Sequence, residues 1–133
     1  MPNNISNYLE AAWLNATFRN IAYTSPATVY LALYTADPTE ADTGTEVAGG
    51  AYARQAVTFS APSQVGGKAT ISNSTELSFP IATADWGTIT HIGIRDAATA
   101  GNLLYYGPIA TARSILTNDR LKFLQGDLKL DLD

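Results

Sequence analysis

Residues 88–94 carry β-branched side chains at five of seven positions, and residues 96–102 then supply the small, turn-forming residues with which a chain reverses. Side chains branched at Cβ suit a pleated, half-buried surface, whereas Asp, Gly and Asn suit a reversal. With the apolar residues 103–106 following, the stretch 85–107 predicts two strands joined by a turn. It contains no catalytic grouping, so it marks scaffold.

The rest of the chain predicts more of the same. At 133 residues it forms one domain, 1–133, long enough to bury roughly two-thirds of its unfolded surface without staples. The absence of Cys removes thiol catalysis, Cys-ligated zinc and disulfide scaffolding together. Eight basic side chains stand against 12 acidic ones, for a net charge of −4. They are scattered, and only Arg113, Arg120 and Lys122 lie close in sequence, which suits a solvated strand edge better than a stripe of phosphate contacts. Nucleic acid is therefore not an expected partner. A membrane is not expected either, because no apolar run nears the ~20 residues of a bilayer span. Residues 1–4 have neither the basic nor the apolar region of a secretory signal, so synthesis as a soluble cytoplasmic chain is expected. Charged residues are only 15% of the total and hydrophobic ones 46%, which predicts a surface partly covered by neighbours.

Along the chain, Ser6 or Asn7 caps a helix over residues 6–20, with Glu10 at the capping-box distance from Asn7. Leu9, Ala12, Trp13 and Ala16 follow the helical repeat, and Leu14, Phe18 and Ile21 add a second apolar row. Packing of this wide face on the sheet is the first expectation, and docking into a partner the second. Strands then fill residues 28–133. In residues 28–34, Val29, Leu31 and Leu33 oppose Tyr30, Ala32 and Tyr34, so this strand is apolar on both faces and belongs in the middle of a sheet. Residues 37–46 predict a long exposed acidic loop, and residues 61–67 a second breaker. Further strands are predicted at 52–60, 68–72, 75–79, 112–116, 120–124 and 127–133. Short strands without crossover helices favour an all-β antiparallel sandwich, jelly-roll or Ig-like, with one N-terminal α-helix.

Candidate chemistry is sparse. His91 is the single histidine; strand alternation sets it with Ile89 and Gly93, opposite Thr90, Ile92 and Ile94, on a wetter face, and a structural role is expected. Asp85 and Asp96 fit turns whose side chains bond nearby amides better than a glycosidase pair with Glu76. Asp37, Glu40, Asp42 and Glu46 offer oxygen ligands, but their spacing matches no calcium loop, and a solvated loop is the simpler reading. The glycine pairs 49–50 and 66–67 precede no phosphate-binding Lys-Ser or Lys-Thr. No catalytic residue, metal site or cofactor is predicted. The aromatics suit core or intersubunit packing, and Leu9, Trp13, Tyr34, Trp86 and Tyr106 are the candidate partner-binding residues.

Four segments taken in order, 6–10, 26–38, 52–59 and 85–107, make the chain similar to a family of small tailed-bacteriophage virion proteins commonly labelled tail fibre proteins. The resemblance implies a non-enzymatic structural protein of the virion, whose partners are other capsid, neck or tail proteins. It also implies self-association, with trimers as the form that fibre and decoration proteins often take. The chain lacks the repetitive shaft and tip domain of a receptor-binding fibre, which favours a compact attachment, adaptor or decoration module. The alternative is a host-surface saccharide-binding module that uses exposed aromatics and the acidic loop.

Overall fold

The computed structural model describes residues 4–132. A single helix, α1 (Asn7–Phe18), precedes strands β1 (Val29–Tyr34), β2 (Gln55–Val57), β3 (Ser63–Val65), β4 (Lys68–Ser72), β5 (Leu77–Ser78), β6 (Gly87–Arg95), β7 (Leu103–Ile115), β8 (Lys122–Phe123) and β9 (Lys129–Leu132). They form a large sheet ordered β2-β1-β6-β7, a second ordered β3-β4-β9, and a pair β5-β8. Every pairing of these strands is antiparallel. This is the predicted all-β sandwich with its single N-terminal helix.

Strand β1 lies between β2 and β6, as its two apolar faces require. On one face Leu31 and Leu33 meet Ile89, Ile94, Phe79 and Trp86 in the main core, which the second sheet and the β5-β8 pair close through Leu77, Phe123 and Leu130. Burying each such aliphatic side chain contributes about 1.5–3 kcal/mol. On the other face Ala32 and Tyr34 pack with Leu103. Close approach there demands a glycine: a Cβ on Gly93 would fall 2.7 Å from a ring carbon of Tyr34 and 2.8 Å from Leu103.

The β6-β7 hairpin appears as expected, but β7 runs continuously through segments predicted as two strands. Its register explains why. Ile89 partners Arg113 while His91 partners Pro108, so residues 109–112 stand opposite Thr90 alone. A bulge of this kind shifts the alternation of faces. Ile89 therefore faces the main core together with Ile92 and Ile94, instead of with His91 as simple alternation predicts.

Other features also differ from expectation, among them the strands predicted at 52–60 and 75–79, which shrink to β2 and β5. The breaker 61–67 contains β3, which pairs with β4 across a turn at Gly66 and Gly67, both at positive φ. The strand predicted over 120–124 is reduced to Lys122 and Phe123. The acidic loop, expected to be simply solvated, is fastened to the body of the protein by two arginines.

Candidate interaction surface

Arg95, at the end of β6, is almost fully buried although it is charged. Its guanidinium grips Asp42 with both forks, at 2.8 and 2.9 Å, donates to the Tyr34 hydroxyl at 2.9 Å, and donates to the Gly101 carbonyl at 2.9 Å. Desolvation opposes its charge, but Asp42 and Tyr34 outweigh that cost and hold its pKa above the ordinary arginine value. Burial in turn pushes the Tyr34 hydroxyl upward, with the Arg95 hydrogen bond working against it.

A second fork fastens the far end of the loop. Arg54 donates to Glu46 from Nε at 2.8 Å and from Nη2 at 2.7 Å, and also reaches the carbonyls of Ala97 and Ala100 at 2.8 Å each. The Tyr52 hydroxyl donates to Glu46 at 2.7 Å while accepting from the Leu33 amide at 3.0 Å. Burial alone would raise the Glu46 pKa, but the hydrogen bonds from Arg54 and Tyr52 prevail and lower it. Such charge-assisted, bidentate contacts are the strong ones. They hold a tight chain path, with Thr39 at φ 59° and Asp42 at φ 58°. That region favours glycine, so the loop needs fastening.

The loop in turn holds the start of α1. The Glu40 carbonyl accepts from the Asn7 amide at 2.9 Å, and the Leu104 carbonyl accepts from the Ser6 amide at 3.0 Å. Ser6 is the N-cap: its hydroxyl accepts from the Leu9 amide at 3.2 Å and donates to the Leu103 carbonyl. Ile5 and Leu9 then pack on Leu104.

Beyond this first turn the helix leaves the body. Leu9 is its one buried residue, whereas Trp13 is 37%, Leu14 58% and Phe18 78% exposed. Asn20, at φ 55°, reverses the chain, and the Ile21 amide returns to the Asn15 carbonyl at 3.1 Å, with Ile21 also exposed. The expectation that both apolar rows pack on the sheet is thus met only by Leu9. Between α1 and the β4-β9 strands lies an apolar groove of about 340 Å³, with Leu9, Trp13, Phe59, Ile71 and Leu130 among its walls. The arrangement can bury apolar area against another surface, and the exposed part of its walls is almost wholly apolar although Tyr105 and Asp131 are among them.

The five candidate partner-binding residues are not brought together. Tyr34, at 1% exposure, and Trp86 lie inside the protomer; Trp86 donates from Nε1 to the Gly50 carbonyl at 2.8 Å and meets the Tyr52 ring edge-on at 5.5 Å. Leu9 is buried and Tyr106 is half-buried against Tyr34 and Leu103. Trp13 alone of the five lies open, with Leu14, Phe18 and Ile21, which are not among the five, also exposed. Their signal was the second apolar row itself, too wide for the small area that the sheet offers.

His91 Nδ1 bonds the Thr90 hydroxyl at 2.8 Å, but Nε2 is 3.8 Å from Asp37, beyond hydrogen-bond reach. Asp96 closes its own loop by accepting from the Asn102 amide at 2.7 Å, whereas Asp85, expected to bond a nearby amide, accepts instead from the Thr117 amide at 2.8 Å, 32 residues away, because the pairing of β6 with β7 brings that segment beside it. Among the described residues no three His, Asp or Glu side chains are grouped to hold a metal.

No curated protein matches the chain. A family model described as podophage GP4 fiber I protein gp80 matches residues 4–131. With that match spanning both the fastened loop and the open helix, the chain belongs to the podophage GP4 fiber I protein gp80 family, and is a phage fibre-related structural protein of the virion.

Proposed function

We propose that this protein is a non-enzymatic attachment or adaptor module that seats the outer face of α1 and its groove on another structural protein of the particle, in the capsid, neck or tail. The observation that carries the reading is the clustering of exposed apolar groups. Of ten large apolar residues left exposed among the described residues, five fall between Tyr8 and Ile21. Scattered apolar side chains on a surface need no explanation, whereas a contiguous patch marks a contact site. A whole aromatic side chain can bury about 150–250 Å², and Tyr8 and Trp13 have less than half of theirs exposed, so the groove walls must join the helix face to reach the roughly 800 Å² per partner of a stable interface.

In this reading Trp13 makes direct contact, while Leu9 anchors the helix on which it stands. Tyr34 acts from behind, through Arg95 and the loop that holds the Asn7 amide; Trp86 and Tyr106 serve packing. Binding is passive, and repetition of copies around the particle converts modest affinity into avidity. A saccharide-binding role has less support, because Tyr34, Tyr52 and Trp86 are turned into the fold instead of forming an open platform.

The test is incorporation. Particles assembled with the Leu14→Glu/Phe18→Glu double variant should lack the protein, although the purified variant keeps its thermal unfolding transition. Stoichiometric incorporation of that variant would refute the assignment, and glycan-array binding that survives it would favour the saccharide role. Light scattering on the purified protein distinguishes trimers from monomers.

A further inference from the structure

The four-residue excursion of β7 has a second consequence. Residues 109–111, within the stretch displaced from the ladder opposite Thr90, form one wall of a cleft of about 330 Å³; β8 and the β8-β9 turn form the other. Ile92, Ile109 and Phe123 supply an apolar floor, and Arg113, Lys122 and Lys129 line the rim. Three of the chain's eight Lys and Arg residues therefore converge on one opening in a protein of net charge −4.

Two of these cations differ from Arg54 and Arg95 in being uncommitted, and the third is only weakly engaged. Arg113 and Lys129 have no ion-pair partner among the described residues, and Lys122 is loosely set 3.8 Å from Glu76, with both side chains about half exposed. The one carboxylate in the lining, Asp127, accepts from the Leu124 amide at 3.3 Å and closes the turn. A bulge that breaks the longest strand re-aims side chains, and here it sets the Ile109 side chain and Arg113 against a wall of lysines. The volume falls at the lower end of the range for binding pockets.

We infer that this cleft binds a short acidic peptide segment of a neighbouring protein, with carboxylates on Arg113 and Lys129 and an apolar side chain on the floor. Charge complementarity selects the sign of the ligand. The floor favours a peptide over an acidic sugar: it is mostly aliphatic, with Ile92, Ile109 and Leu128 beside Phe123 as the one aromatic ring of the lining, and so suits an apolar side chain better than a stacked pyranose. The inference concerns a surface separate from the α1 groove and does not depend on it.

Amide shifts of the full chain, titrated with a short capped peptide alternating Asp and Leu, test the assignment. Perturbations should centre on Ile92, Ile109 and Phe123, and the Asn-for-Asp peptide should produce none. Affinity should fall about tenfold in Arg113→Gln/Lys129→Gln, the loss of charge-assisted contacts, and stay unchanged in Lys68→Gln, whose charge lies outside the cleft. Both variants alter exposed or half-exposed side chains, and the single Arg113→Gln change gives the same reading if the double variant unfolds. Equal shifts with the Asn peptide, or equal weakening by Lys68→Gln, would overturn the inference. So would an oligoglucuronate that perturbs these amides when the peptide does not.

Discussion

Two neighbouring regions, joined by the Asn7–Glu40 hydrogen bond, solve opposite problems. Loop 37–46 is rich in carboxylates and is held down by arginines that come from β6 and from the segment before β2. Helix α1 is rich in apolar side chains and is held by its first turn, with Leu9 as its buried contact. Burial in this protein follows the availability of a fitting partner, not the polarity of the segment. A carboxylate loop has two guanidinium groups to meet, so it is fastened. An apolar helix finds one small pocket on Leu104 and Tyr105, so most of it stays open.

Breaking the loop should cost most. Arg95→Met removes the fork from Asp42 and the donor from Tyr34, and should destabilise the protein by about 3 kcal/mol in urea unfolding. This is the lower end of the range for breaking a buried pair, because Asp42 is partly solvated. A loss under one kcal/mol would show that the loop is dispensable. Next comes the single anchor of the helix: Leu9→Ala should cost about 2 kcal/mol, since one buried side chain is truncated beside a groove that can relax.

A pH experiment sharpens the same contrast. The Glu46 pKa is lower in the folded protein than its ordinary value of 4.5, so its contribution is present above that value and lost as pH falls through the folded pKa. Stability measured from pH 6 down to about 3 should therefore decline less steeply in Glu46→Gln than in the parent protein. An identical slope would mean that the Arg54 fork does not act on folding. The smallest effect belongs to the open face. Phe18→Ser should change stability by no more than about 0.5 kcal/mol, as for surface positions without partners, yet reduce incorporation into particles. A large loss of stability would instead place Phe18 in intramolecular packing.

Much of this architecture was legible in the residues. The two-faced apolar alternation of residues 29–34 predicted a central strand, and the β-branched run before a small-residue turn predicted the β6-β7 hairpin. Ser6 was legible as one of two possible caps. Less legible were features that depend on pairing across long separations. The excursion of β7 exists because its register with β6 changes at Thr90, and nothing in residues 109–112 announces that change. Arg54 and Arg95 lie eight and 53 residues from the carboxylates that they grip, so a solvated loop was the natural reading. Among the candidate contact residues, Tyr34 and Trp86 carry no signal in the sequence beyond their aromatic character. Whether an aromatic ring faces inward or outward depends on what covers it, which local pattern does not encode.

The amino-acid sequence by itself determined the material: an all-β chain with one capped helix, an apolar central strand, no thiol chemistry and few charges. These follow from local periodicity and composition, which act over one turn or one strand. The tertiary structure alone decided where the surplus went. It joined two of the loop carboxylates, Asp42 and Glu46, to guanidinium groups outside the loop, because an ion in the fold must be matched, and it left most of the helix face uncovered, because Leu9 alone of that helix found a buried seat.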